Sequence, residues 1–243
     1  MQVRRLPDNP ILAPDTDERL GPNLNGPSLV AAPEWADSPG RYYLFFADHH
    51  GETIRLAHAD DLAGPWTLQS SPPLSLSAAG EGFDDHIASP DVHVDADRRR
   101  VRMYYHGCCD TREAPTGEMN QYTRVAVSDD GRSFSARAEP LGRFYFRVFE
   151  YGGHHYALAK ENRGEGETAS GQRVYRSADP LSGFSPGPLL FGDGARHTAV
   201  RVRGDTLDVF YSRIGDAPER ILHATVDLSE PWREWAATEP RTV

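Results

Sequence analysis

An all-β chain built as a β-propeller of four-stranded blades is what the sequence predicts, and three observations predict it. Short runs rich in Val, Tyr, Phe and Thr alternate with Gly, Pro and Asp clusters, and no long amphipathic helical period interrupts them. Four stretches repeat one order of four parts. An acidic turn falls at the same place in each, at Asp61, Asp130, Asp179 and Asp227. Two of its spacings are close to the roughly 50 residues of a blade and the other is longer by about 20.

Each part has its own chemistry. An inner strand is read in "GPSLVAAP", "SPDVHVDA", "YFRVFEYG" and "RHTAVRVR", and each leads into a turn: "DSPGR", "DADRR", "YGGH" or "RGDT". An aromatic strand follows in "YYLFFADHH", "VRMYYHGCC", "HYALAKEN" and "LDVFYSRI". The third strand ends on the acidic turn, in "TIRLAHADD", "YTRVAVSDD", "QRVYRSADP" and "RILHATVDL". The fourth is short and carries an aromatic, in "GPWTLQS", "GRSFSARA", "SGFSPGPLL" and "EPWREWAA". The extra length of the second repeat lies in "CCDTREAPTGEMNQ". The repeats leave two closures open: four blades with "RRLPDNPILAP" adding an edge strand, or a fifth blade that is incomplete or absent. Residues 1–243 are expected to form a single propeller domain.

Composition narrows the partners. With 38% hydrophobic and 10% aromatic residues the chain is expected to fold. A net charge of −10 disfavours nucleic acid and anionic membranes. No apolar run approaches the roughly 20 residues that span a bilayer, and "MQVRRLPDNPIL" lacks a signal-peptide apolar region, so a cytoplasmic protein is expected. Cys108 and Cys109 are adjacent, a poor geometry for a disulfide, and are expected to be reduced thiols at a strand end.

Up-and-down connectivity sorts the loops onto two faces. The loop that enters each inner strand and the loop between the second and third strands share one face. That face collects Asn23, Asn25, Asp48, His49, His50, Asp84, Asp85, His86, Asp91, His106, Asp110, Arg147, Lys160, Glu161, Arg196, His197, Arg213, Asp216, Glu219 and Arg220. Carboxylates, imidazoles and guanidinium groups can converge there on a ligand and shift one another's pKa, while the net charge favours neutral or cationic ligands and leaves a small anion to a local arginine cluster. Asp91 is the most telling of them, because a carboxylate at the head of a strand neither packs well nor tolerates desolvation without a partner.

The repeats "YYLFFADHHGETIRLAHADDLAGPWTL" and "FYSRIGDAPERILHATVDL" resemble the five-bladed propeller glycosidase superfamily, especially glycoside hydrolase family 43. The opening "RLPDNPILAP" is similar to that of family 130 phosphorylases. The resemblance implies a five-bladed type of ring and a glycoside hydrolase. In family 43 an aspartate base comes from the first blade, a second aspartate that tunes pKa and orientation from the second, and a glutamic acid general acid from the third. Here "SPDV" carries the second of these over to Asp91. The first-blade motif reads "NGPSLV", with Asn25 and Ser28 where a base is expected, and the third reads "RFYFRVFEY", with Tyr145 and Arg147 there and Glu150 further along.

Glycoside hydrolysis needs a second carboxyl group. Asp48 beside His49 and His50, Asp85 beside His86, and Glu219 in "GDAPER" are the candidates, with Arg220 next to Glu219 as the neighbour that would hold it ionised. Asp91, Glu219 and Asp48 are thus the expected catalytic groups. Asn25, His49, His50, His86, His106, Arg147, His197, Arg213 and Arg220 are the expected substrate contacts. Two other functions stay open: a phosphorylase holding phosphate with Arg147, His197, Arg213 and Arg220, or a sugar-binding propeller without turnover. His86, His106 and His197 could ligate a divalent ion, but hydrogen-bonding roles are expected of them, with no metal and no cofactor. The Gly-rich "RGEGETASG" lacks the lysine and following helix of a phosphate loop and is expected to be a plain loop or lid. The expected partner is a small-molecule or oligosaccharide substrate, with pairing to a second copy through open strand edges as a further expectation.

Overall fold

Four aspartates punctuate the fold. Asp61, Asp130, Asp179 and Asp227 each accept, through Oδ1, the backbone N–H of the residue two places on: Ala63, Arg132, Leu181 and Ser229, at 2.8, 2.8, 2.8 and 3.0 Å. This is an Asx turn, in which a short carboxylate stands in for a backbone carbonyl. It ends the third strand of each repeat and turns the chain toward the fourth. The computed structural model describes residues 4–7, 9–48, 51–108, 121–161, 171–192 and 194–243. It divides into two compact units, Gln2–Ala114 with Arg124–Glu139, and Pro115–Thr123 with Pro140–Val243.

The first unit holds two antiparallel meanders. One runs β1 (Asn25–Ala31), β2 (Tyr42–Ala47), β3 (Thr53–Ala59) and β4 (Thr67–Leu68), with β5 (Leu74–Ser75) also pairing to β3. The other runs β6 (Ile87–Asp95), β7 (Arg100–Cys108), β8 (Gln121–Ser128) and β9 (Ser135–Ala136). Strand β8 continues back into the second unit, where Tyr122 and Thr123 pair with β10 (Gly142–Arg143). The remaining two meanders are β11 (Arg147–Tyr151), β12 (His154–Glu161), β13 (Gly171–Ser177), β14 (Ser185–Phe191), and β15 (Ala195–Arg203), β16 (Thr206–Arg213), β17 (Leu222–Asp227), β18 (Arg241–Thr242). Two-residue turns close two of the inner hairpins, with Tyr151 opposite His154 and Arg203 opposite Thr206. The glycines at Gly152, Gly153 and Gly204 supply the positive φ these turns require.

Two expectations are corrected here. Among the described residues there are four sheets and no fifth, two of them four-stranded and two enlarged to five strands by a short extra strand, so the five-bladed type gives way to four blades. Nor does "RRLPDNPILAP" add an edge strand. The outer strand of the last sheet is β18, drawn from the chain's own final residues, with Leu222 opposite Thr242. Ile11, Leu12 and Leu20 instead pack on Leu44, Phe46, Ala57 and Trp66, covering the apolar side of the first sheet. The second unit has its own core, in which Phe149, Tyr156 and Trp235 stack beside Leu158, Val174, Leu207 and Val209. Among the described residues no helix is long and apolar enough to cross a membrane.

The head of every inner strand has one residue in the left-handed region: Gly26 (φ 58), Ser89 (φ 51), Tyr145 (φ 58) and His197 (φ 52). In three of the four sheets the pairing register slips at that place, between Asn25 and Ser28, Ala88 and Asp91, and Arg196 and Ala199. These are β-bulges, each inserting one residue on the inner strand. In the first unit two of them touch, since a Cβ on Gly26 would lie 2.7 Å from Ser89 Cα. Just beyond, Val92 N–H donates to Ser28 Oγ at 2.9 Å. Gly26→Ala combines a disfavoured φ with a backbone clash, and is expected to lower stability by about 2–4 kcal/mol. Gly204→Ala, at φ 57 with nothing within 4 Å, should cost only about 1 kcal/mol. Equal urea midpoints for the two variants would contradict the close approach.

A buried carboxylate ties the last sheet together. Asp208 accepts from both Nε and Nη2 of Arg203, the latter at 3.0 Å, and from His223 Nε2 at 2.8 Å. The Arg203 guanidinium above all holds its pKa down to about 2, against an ordinary 3.8. Because the folded value lies below the unfolded one, the stabilisation is complete above about pH 4 and is lost as pH falls toward 2. Asp208→Ala is expected to cost about 2–3 kcal/mol near neutrality. The gap to the parent protein should close between about pH 4 and pH 2, as followed by urea unfolding at each pH.

Candidate active site

The bulge at Ser89 decides which side chains share a face. Along a regular strand His86 and Asp91 would point to opposite sides, being an odd number of residues apart. The inserted residue changes the parity: Ala88 pairs with His106 and Asp91 with Tyr104, and those two partners lie on the same face of β7. Asp91, His93 and Asp95 on β6 therefore join His86 above the same face, opposite Tyr104, Arg102 and Arg100. Contacts along the stripe agree. His86 meets His106 edge-on at 5.9 Å between ring centroids, His93 meets Tyr104 at 5.7 Å, and Arg102 Nη1 lies 3.6 Å from Asp95 Oδ2. The other face of β7 carries Val101, Met103, Tyr105 and Gly107, an apolar set packed into the core.

Asp91 is half-buried at the start of this stripe, with its Oδ2 3.0 Å from His93 Nε2. The imidazole two residues on gives a carboxylate at the head of a strand a hydrogen-bonding partner, and His93 is not among the residues expected at the site. Its legible signal was the i, i+2 spacing within "DVH".

The other expected groups of this unit divide. Asp48 forms an ion pair with Arg55, Oδ2 to Nη2 at 3.2 Å, while Arg55 Nη1 also donates to the Arg19 carbonyl. Gly21 lies against the same carboxylate, where a Cβ would be 2.7 Å from Oδ2. Asp48 thus anchors the segment ahead of β1. Asn25 Nδ2 donates to Asn23 Oδ1 at 3.2 Å, so the first-blade amides hold each other. His49 and His50 lie outside the described residues, as do Asp110, Cys109 and the segment 162–170. His86 and His106 are buried, and Asp85 Oδ2 sits 2.6 Å from His86 Nδ1. Asp85, His86 and Cys108 each place one potential ligand atom within 4.8 Å of the others.

In the second unit the expected contacts are largely committed to the fold. Arg147 donates from Nε to the Thr198 carbonyl and from Nη1 to the Phe146 carbonyl, both at 3.1 Å. Buried Lys160 donates to the Ala195 carbonyl at 2.9 Å, which also accepts from Gln172 Nε2 at 3.2 Å. Tyr145 and His197, both left-handed, meet edge-on at 5.9 Å. Glu219 is clamped by Arg196, not by Arg220, with Nε to Oε1 at 3.2 Å and Nη2 to Oε2 at 2.8 Å. That bidentate pair, with the Ser212 hydroxyl, holds Glu219 down to about 2. A carboxylate so held is not a proton donor near neutrality, in keeping with the ionised state expected of it but with Arg196 in place of Arg220 as the cause. Burial, and next the Arg196 charge, push His197 below the usual histidine range. Arg213 turns to Tyr211, with Nη2 3.5 Å from the phenol oxygen, and lines a cleft with Leu190, Thr238 and Glu239. Arg220 is exposed. Of the four groups expected to hold a phosphate, Arg147 is bonded to main-chain carbonyls, Arg213 turns to Tyr211 and Arg220 is exposed.

No protein-family model matches the chain. It is 29% identical over 275 aligned residues to an uncharacterized protein of Acanthamoeba polyphaga mimivirus, covering 98% of this chain and 72% of that one. Its structure is similar to that of a thermostable family-43 glycoside hydrolase, with a TM-score of 0.67 at 15% identity, over 89% of this chain and 72% of the other. An alpha-L-arabinofuranosidase from Lactobacillus brevis gives 0.67 at 16% identity, over 96% and 75%. One from Clostridium thermocellum gives 0.61 at 18%, over 88% and 72%. At such identities the likeness is one of fold, an all-β propeller with four-stranded blades. The family-130 similarity of the opening segment gains nothing from these structures.

The Arg196 clamp is testable on its own. Arg196→Ala should raise the Glu219 pKa from about 2 toward the ordinary value of 4.5, followed as the pH titration of its side-chain carboxyl carbon by NMR. A value that stays near 2 would show that other groups hold it.

Proposed function

We propose that this protein is a glycoside hydrolase in which Asp91 is the carboxylate at the reaction centre. One observation supports the reading above others: on a fold shared with family-43 glycoside hydrolases, Asp91 heads an inner strand immediately after a bulge that turns it onto a polar, half-buried face. Of the residues two places beyond the left-handed positions, Ser28, Asp91, Arg147 and Ala199, it alone is acidic. Paired with His93, it is suited to accept a proton from water attacking the anomeric carbon, or to stabilise positive charge developing on the sugar ring. The arabinofuranosidase activity named for two of the similar structures makes pentofuranosides the first substrates to try.

A second reading has an observation of its own. Glu219 is tied to Arg196 and Asp48 to Arg55, so two of the three expected catalytic carboxylates are engaged in ion pairs. A sugar-binding propeller that does not turn over fits that arrangement.

A panel of aryl arabinofuranosides, xylosides and galactosides separates the two. Hydrolysis is expected on at least one, with Asp91→Asn lowering kcat/KM by about 10²–10⁴-fold at an unchanged melting temperature. Saturable binding without turnover would favour the second reading. Turnover unaffected by Asp91→Asn would remove Asp91 from the chemistry, and turnover requiring phosphate would make the enzyme a phosphorylase.

A further inference from the structure

The top of the β6–β7 hairpin gathers donors that sugar chemistry does not call for. Cys108 N–H donates to the His86 carbonyl at 3.1 Å and Asp84 N–H to the Cys108 carbonyl at 3.0 Å, so Cys108 is bracketed by the loop that carries Asp85 and His86. The loop is pinned from the opposite face. Phe83 occupies the space over Gly107, where any Cβ would lie 2.4 Å from the ring. Backbone pairing thus fixes His86 directly across from Cys108, with His106 next along the same face of β7.

We infer that Asp85, His86 and Cys108 form a binding site for a divalent transition-type cation, with zinc as the best match to the donors. Their ligand atoms lie within 4.8 Å of one another. Bond lengths of about 2.0–2.3 Å in a tetrahedral site would set them about 3.3–3.8 Å apart, so the widest separation closes by about 1 Å while Asp85 Oδ2 and His86 Nδ1, now 2.6 Å apart, open by a similar amount through side-chain rotation. A thiolate, an imidazole and a carboxylate are a borderline-soft set, suited to zinc and unlike the six to eight oxygens that calcium takes. His106, edge-on to His86, stands beside the three as a further imidazole. Binding exchanges the thiol proton of Cys108 for the metal, and the proton leaves to solvent. Asp85 is exposed while His86 and Cys108 are buried, so an ion would arrive through the carboxylate and meet the other two donors out of bulk water.

The test uses the full chain, reduced and freed of metal by a chelator, and needs no sugar substrate. Titration with zinc against a chromogenic chelator should show one tight equivalent, and cobalt should give a near-ultraviolet thiolate-to-metal charge-transfer band. Cys108→Ser should abolish the band, and Cys108→Ser and His86→Gln should each weaken zinc binding by more than the roughly 10–100-fold that loss of an outer-shell partner costs. Cys109→Ser should leave both readouts in place. Asp85→Asn, at an exposed position, gives an independent variant if a buried substitution fails to fold, and it should also weaken zinc. Absence of the cobalt band, zinc affinity unchanged in these variants, or a band lost with Cys109→Ser and kept with Cys108→Ser would overturn the assignment.

Discussion

One backbone constraint, a left-handed residue at the head of each inner strand, determines much of what this chain presents. Such a conformation costs about 1–2 kcal/mol for a residue other than glycine. The chain accepts it at Ser89, Tyr145 and His197 and uses glycine only at Gly26. In the β6–β7 hairpin the consequence is parity. The bulge allows Asp91 and His86 to project from one face although five positions separate them, and thereby assembles a polar stripe from His86 to Asp95. Without the inserted residue, the same sequence in regular alternation would send Asp91 and His93 to the apolar face of Met103 and Tyr105. Strain at a strand head is therefore what reconciles a packed sheet with an array of ionisable groups.

A second lesson concerns charge. Ionisable residues are frequent on the strands of this protein, and several of them serve its own backbone. Arg147, Lys160 and Arg55 each donate to a main-chain carbonyl. Glu161 accepts from Arg173 Nε at 3.1 Å and from the Tyr175 hydroxyl at 2.9 Å, which, with burial as the larger cause, pushes that phenol upward. Short strands leave many carbonyls without ladder partners at the sheet ends, and a buried carbonyl must find a donor. Long cationic side chains reach them. An Arg or Lys on a short strand is then as much a donor to the fold's own carbonyls as a sign of an anionic ligand.

These two facts explain what could be read from the sequence and what could not. The four-part repeat was legible because alternation and Asx-turn chemistry are local, and the aspartates at 61, 130, 179 and 227 make the same hydrogen bond in each copy. The number of blades was not, because a short final strand such as Arg241–Thr242 carries almost no periodic signal. Asp91 stood out as a carboxylate in a place that disfavours one. Glu219 was credited with Arg220 because they are neighbours in the chain, whereas its partner Arg196 lies 23 positions away. Cys108 drew little notice, since a cysteine doublet at a strand end says nothing about what the facing strand places opposite it.

The repeat also sharpens the chemical question. Two places beyond its left-handed residue each inner strand presents one side chain, Ser28, Asp91, Arg147 or Ala199, three of the four just past a bulge. Ser28 accepts the Val92 N–H and Arg147 donates to the Thr198 carbonyl, so each links its own inner strand to the next one within its unit. These two positions are structural here, and Ala199 offers no polar group at all. Hydrolysis requires a proton for the leaving oxygen as well as a carboxylate at the anomeric carbon. With one acidic group among the four, a hydrolase on this frame would draw its proton donor from outside these positions. On the proposed reading, the carboxylate at the anomeric carbon is Asp91, held by the sheet, and the proton donor lies outside the four positions.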